Sequence, residues 1–345
     1  MQRFPEAGGG YRLVEEFGRP DSAWTESATG GDSSPELHDR LRRSNPALNE
    51  IRLRQPPRPL PEGRRLRVAS WNLERCKHVE ATADKIRRTG AEIVLLSEMD
   101  IGMARSGNRD TIAELAELLD MGHASGVEFV ELGLGDEREV AECSGMANRL
   151  GLHCNAVLSS CEFTRAEIVR LGAGGQWLAG RTGKGQPRVG GRIAVMVCVN
   201  RESPLWLVAV HFESEDGPSD RLREAELLVS DIALHCGDGP VVIGGDFNFN
   251  SLAAAGMAGD QLLASPEEHE PAFSLLRTAG FAWEAANTTC PTTRRHPWDG
   301  NFVSQKIDWF FVRGVNARNP QVIPACTSED QNLSDHELLV ADISW

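Results

Sequence analysis

From Leu66 to the C-terminus, short apolar runs alternate with longer amphipathic stretches and with Gly/Asn/Asp turns. LRVASWN (66–72), EIVLLSE (92–98), VEFVEL (127–132), NAVLSS (155–160), RIAVMVCV (192–199), LWLVAVH (205–211), PVVIGGD (240–246), KIDWFFV (306–312) and ELLVADI (337–343) are short, β-branched-rich runs and predict strands. ATADKIRRTG (81–90), DTIAELAELLDMG (110–122), DRLREAELLVSDIALHC (220–236) and AFSLLRTAG (272–280) carry helical spacing, and glycine closes all but the third. Nine strands need two packed sheets. With helices on the outer faces, the expected fold is an α/β, four-layer sandwich of two mixed, mainly antiparallel sheets packed face to face.

Residues 1–65 show no sustained apolar period, and stretches such as TGGDSSPE and QPPRPLPEGRR predict a largely disordered leader ahead of a folded domain at 66–345. Charge sharpens the contrast. The chain carries a net charge of −14, yet residues 39–67 hold nine arginines against three acids, a net +6. The bland reading of that run is a solvated linker; the functional one is a clamp for a polyanion. An acidic body suits a small or singly presented phosphate better than long duplex DNA, where neutralising the backbone dominates affinity. The eight cysteines show no CxxC spacing and read as free thiols, with no zinc site and no disulfide frame. No run is long and apolar enough for a membrane span, and a cytoplasmic monomer is the simplest expectation.

Acids, amides and histidines recur at the ends of the apolar runs, where an α/β sheet places its ligand groups. Asn72 ends SWN, Glu98 ends LLSE, Asp246 and Asn248 close GGDFN, and Asp335 and His336 precede the last run. These hard oxygen donors suit Mg2+ or Mn2+, whereas zinc would ask for sulfur and imidazole. His211 and His336 add groups that move protons near neutral pH, and Asp308 in KIDWFF is placed to orient His336.

The ordered motifs SWNLE, LLSEMD, VHFES, GGDFNFN, IDWFFV and LSDHELLV resemble those of the endonuclease/exonuclease/phosphatase, or deoxyribonuclease I-like, superfamily over about residues 66–345. The resemblance implies that Asn72 and Glu98 bind the metal and that Asp335 completes its site. It implies that Asp246 and Asn248 position water and contact phosphate, that His336 acts with Asp308, and that His211 is a second histidine. Outside the family core, Arg105, Asn108, Asn155 and Arg192 are candidate contacts for substrate phosphate, arginine's planar fork being suited to it.

The function expected is divalent-metal-dependent phosphoester hydrolysis by water attack on phosphorus, with a small molecule, lipid headgroup or nucleic acid as substrate. An endo- or exonuclease is the alternative. A non-catalytic binding protein that retains the fold is a third reading, and it would show lost metal or proton-transfer residues, which this chain keeps. Trp177, Trp283 and Trp298 read as core or rim packing rather than as base-stacking platforms, and His296 as a surface or packing residue.

Overall fold

In the computed structural model, which describes residues 6–7, 10–30, 33–172, 178, 186–199, 201–215, 217–296, 300 and 302–345, the strands in chain order are β1 (Glu6–Ala7), β2 (Arg12–Val14), β3 (Glu50–Arg54), β4 (Arg65–Arg75), β5 (Ile93–Ile101), β6 (Gly122–Glu131), β7 (Leu152–Ser159), β8 (Phe163–Arg170), β9 (Arg188–Gly190), β10 (Ile193–Val199), β11 (Leu205–His211), β12 (Val241–Asp246), β13 (Asp308–Arg313), β14 (Asn316–Ile323) and β15 (Leu338–Ser344). The helices are α1 (Ser22–Thr29), α2 (Pro35–Ser44), α3 (Val79–Thr89), α4 (Thr111–Leu118), α5 (Glu137–Glu142), α6 (Pro218–Cys236), α7 (Asn250–Ala254), α8 (Gln261–Ala264) and α9 (Ala272–Thr278). One six-stranded sheet has the order β1-β8-β10-β11-β12-β13; the nine-stranded sheet has the order β14-β15-β4-β5-β7-β6-β3-β2, with β9 also on β6. Both are mixed and mainly antiparallel, as the strand pattern predicts.

Period-two alternation sorts the side chains into three apolar layers. Val68, Leu95, Leu207, Ala209, Val242 and Phe310 meet between the sheets. Trp71, Leu73, Val94 and Leu96 face the other way, under α3 and α4. Val208, Val210, Ile243, Trp309 and Phe311 pack under α6 and α9, where Trp283 is also buried; Trp177 and Trp298 lie outside the described residues. Following the inter-sheet face to one end of the strands gives Asn72 after Val68, His211 after Leu207 and Ala209, Asp246 after Val242, and Asp308 before Phe310. The polar residues of the motifs therefore continue the inner face of the sandwich.

The segment expected as a disordered leader is folded over most of its described length. Asp21 caps α1 and Ser34 caps α2 by accepting backbone N–H groups, Trp24 Nε1 donates to Leu41 O at 2.9 Å, and β3 pairs antiparallel with β6. Trp24, Leu37, Leu41 and Leu48 are buried on the outer face of the nine-stranded sheet. Its few apolar residues fall at helical spacing, diluted by arginine, and the polarity hid them. Arg58, Arg64 and Arg67 pair with Asp120, Glu202 and Asp342, so part of the basic run neutralises acids of the body. Deleting residues 1–55 should lower unfolding stability by more than about 3 kcal/mol, since each buried large apolar side chain contributes about 1.5–3 kcal/mol. Denaturant unfolding checks this, and an unchanged midpoint would restore the view of a dispensable linker.

Three further strands escape the sequence pattern, each for its own reason. β14 is a polar edge strand containing Pro320, and edges are kept polar to prevent further pairing. β8 mixes Arg165 and Glu167 into its apolar residues. β9 is only three residues long.

Candidate active site

Two β-bulges set Asn72 and Glu98. The parallel register of β4 and β5 shifts between Asn72 and Arg75, and that of β5 with β7 shifts between Leu96 and Met99, with Glu98 at φ 56°. Bulges re-aim side chains. Glu98 would otherwise follow Val94 and Leu96 outward; instead it meets Asn72, whose Nδ2 donates to Glu98 Oε1 at 3.2 Å and to Asp246 Oδ2 at 3.1 Å.

Asp246 is the hub. His336 Nε2 lies 3.7 Å and His211 Nε2 3.8 Å from its Oδ2, and Asn248 N donates to its Oδ1 at 2.9 Å. Asn248, at φ 50°, is held by donation from Nδ2 to Phe212 O at 2.9 Å. Desolvation, with Asp308 adding to it, pushes the Asp246 carboxyl above its usual range against the pull of both histidines. His336 Nδ1 is 2.8 Å from Asp308 Oδ2. Burial disfavours its charged form, but Asp308, Asp246 and Asp335 outweigh this and hold the imidazole well above its ordinary pKa. Thr292 Oγ1 accepts from Asp308 N at 3.1 Å and fixes the carboxylate's backbone.

The sequence motifs thus converge: Asn72, Glu98, His211, Asp246, Asn248, Asp308, Asp335 and His336 share one end of the inter-sheet space. Asn72 presents its amide nitrogen to the two carboxylates, while its Oδ1 accepts from Glu74 N at 3.1 Å; in this arrangement it braces Glu98 and Asp246. Glu98 Oε2 also takes the Arg75 guanidinium. Burial opposes ionisation, yet Arg75 and His211 keep this carboxyl well below its usual range. Asp335 is pushed up by desolvation and by the Glu74 and Glu98 charges, with His336 opposing. Crowded carboxylates at the mouth of a cleft fit a hard divalent cation. The cleft has a volume of about 1140 Å³, and Glu74, Lys77, Arg138, Arg295, Asp335 and His336 are among the residues that line it.

The proposed phosphate contacts fare differently. Arg105 has a side chain only 1% exposed and donates to Asp100 and Glu139. Arg192 is buried between Glu128 and Glu213, with Nη1 2.9 and 3.0 Å from the two ring nitrogens of His211, covering that ring's face. Asn108 ties two loops, donating to Ala147 O and accepting from Arg149 N. Asn155 lies on the inner face of β7 and donates to Ile193 O at 3.0 Å, bridging the sheets. The two buried guanidinium groups are bonded internally because a buried cation must be paired, which corrects the expectation that Arg105 and Arg192 are free to clamp substrate.

Sequence reasoning missed Glu128, whose Oε2 is 3.1 Å from His211 Nδ1. The signal was there: a carboxylate inside the apolar run VEFVEL needs a buried partner. Arg75 and Glu74, next to Asn72, left no comparable mark.

Fold and cluster together define a four-layer α/β sandwich with an acid–amide–imidazole centre at one end of the inter-sheet space. The chain belongs to the Endonuclease/Exonuclease/phosphatase family, whose model matches residues 69–336. It is similar in fold to the endonuclease/exonuclease/phosphatase from Beutenbergia cavernae DSM 12333 (TM-score 0.54, 18% identity, 82% of this chain and 72% of that one). It is also similar to that from Bacteroides vulgatus (0.51, 19%, 82% and 99%) and to D. rerio TDP2 complexed with a single-strand DNA product (0.50, 15%, 81% and 99%). No curated protein matches the chain. Among the described residues no helix is long and apolar enough to cross a membrane.

Proposed function

We propose that the chain is a divalent-metal-dependent phosphoester hydrolase in which water attacks phosphorus. The observation that carries this reading is the convergence of two carboxylate-backed histidines on one desolvated carboxylate, Asp246. Glu98 and Asp335 would hold Mg2+ or Mn2+; when bound, the ion supplies positive charge to a phosphoryl oxygen. Asp246, with its raised proton affinity and its tether to Asn248, orients a water and takes its proton. His336, kept protonated by Asp308, donates to a phosphoryl oxygen as charge develops there. His211, backed by Glu128 and covered by Arg192, stands by the same Asp246 oxygen and steadies the same charge. Positioning and charge stabilisation carry most of the rate in phosphoryl transfer.

The acidic body favours a singly presented phosphate, a small-molecule ester or a lipid headgroup. A single-stranded nucleic acid is the second reading, favoured by Lys77, Arg138, Arg294 and Arg295 along the cleft. The deciding assay offers purified protein a model phosphodiester, a phosphomonoester, a phospholipid, and single- and double-stranded DNA, with and without a chelator. Turnover that needs Mg2+ or Mn2+ and stops on chelation supports the hydrolase, and the preferred member separates the two substrate readings. Turnover that survives the chelator would defeat the metal-dependent mechanism, and a folded, metal-bound protein that turns over nothing would favour the binding role.

A further inference from the structure

Beside the Asp246–Asp308–His336 group, the cleft holds a second set of ligating side chains. Glu74, His296 and Asp335 each offer one atom, and the three atoms lie within 4.8 Å of one another. They come from distant stretches: the end of β4, the loop before β13 and the turn before β15. His296 Nε2 is 2.8 Å from Glu74 Oε2, the same carboxylate oxygen that accepts from Asp335 N at 3.1 Å. Neither Glu74 nor Asp335 has an arginine or lysine ion pair among the described residues, whereas Glu98 is matched by Arg75. Asp335 Oδ1 is 4.0 Å from His336 Nε2, so the set adjoins the reacting centre, and all three residues line the cleft.

We propose that His296, with Glu74 and Asp335, is a direct ligand of the active-site cation and makes the site select Mn2+ over Mg2+. The inference rests on the metal-dependent reading and adds a ligand that the sequence motifs do not contain. Two carboxylates facing an imidazole make a mixed oxygen and nitrogen site. Imidazole nitrogen bonds more readily to a first-row transition ion, even Mn2+ at the weak end of that series, than to Mg2+, which keeps oxygen ligands and waters. The histidine thus adds affinity for Mn2+ and little for Mg2+.

Full-length protein loaded with Mn2+ and studied by pulsed electron paramagnetic resonance tests this without any substrate. The expected spectrum shows a directly bonded nitrogen coupling that disappears in His296→Ala and His296→Gln and persists in His336→Ala. Mn2+ affinity should fall about tenfold or more in the two His296 variants, the scale seen when a metal site loses a supporting group, with Mg2+ affinity changed less than about threefold. Absence of the nitrogen signal in the unmodified protein overturns the inference by itself, so the test can fail without any variant, and the Gln variant keeps the side chain polar where Ala leaves a gap. Bound Mn2+ with no nitrogen coupling, or a coupling that survives both His296 variants, would overturn the inference and leave metal-dependent hydrolysis standing. Failure of the unmodified protein to bind Mn2+ or Mg2+ at all would overturn that underlying reading as well.

Discussion

His336→Ala should lower kcat by about 10²–10⁴-fold, the range for a positioned acid–base group, while leaving the protein folded. The ring reaches its place by way of the backbone: Trp71 Nε1 donates to His336 O at 2.7 Å and His336 N donates to Ser334 Oγ at 3.0 Å, and both bonds survive truncation of the side chain. Asp308→Asn is the sharper companion. Asp308 stabilises the imidazolium, so its neutral amide lowers the His336 pKa, and at any pH near or above neutral a smaller fraction is protonated. The alkaline limb of the kcat/KM profile should therefore move to lower pH in Asp308→Asn, with activity recovered most fully in acid. A profile that moves to higher pH, or wild-type turnover in His336→Ala, would mean that His336 packs the site without acting in it.

The placement of Asp246 and His211 at one end of the inter-sheet space was legible because it follows from period two. Counting by twos from Val242 reaches Asp246, and from Leu207 reaches His211, so the inter-sheet layer and the polar cluster are one pattern read to its end. Glu98 breaks that count. Its bulge could not be derived from alternation, and only the motif LLSE marked it. The arginines were misjudged for a different reason: a sequence shows how many cations a loop carries, while the position of their counter-charges is a matter of topology. Arg192 is covered by Glu128 from β6 and Glu213 beyond β11, strands of the two facing sheets. The N-terminal helices were obscured by dilution, since a short helix needs few apolar residues when a large sheet face already waits for them. His296 had no neighbour in sequence to distinguish it, and its partner Glu74 lies more than two hundred residues away.

Arg105→Ala should destabilise the protein by about 3–5 kcal/mol, the cost of leaving one member of a buried ion pair without its partner. Arg105 Nε and Nη2 donate to the two oxygens of Asp100 at 2.8 and 2.9 Å, and Asp100 is fully buried. Truncation leaves that carboxylate with Ser106 Oγ at 2.6 Å and His153 Nδ1 at 3.0 Å, too little to solvate a charge. The pH dependence follows from the sign of the shift. Burial alone would raise the Asp100 pKa, but Arg105 and His153 hold it well below the ordinary carboxylate value. A depressed folded-state pKa contributes stability above the unfolded-state pKa, about 3.9 for aspartate, and that stability is lost as pH falls through the folded value. Without Arg105, desolvation dominates and Asp100 favours its neutral form. The gap between wild type and variant should then be widest at neutral pH and narrow toward about pH 4, as Asp100 of the folded variant takes up a proton that the wild-type carboxylate does not. Urea unfolding at both pH values measures this. A substrate clamp would behave in the opposite way, raising KM with the unfolding midpoint unmoved. The network also reaches the reacting centre, because Arg105 Nη1 donates to Glu139 at 3.2 Å, Glu139 holds Arg75 Nε at 3.3 Å, and Arg75 grips Glu98. Residual folded Arg105→Ala should therefore bind its cation more weakly, through a loosened Arg75, even though Arg105 touches neither metal nor substrate.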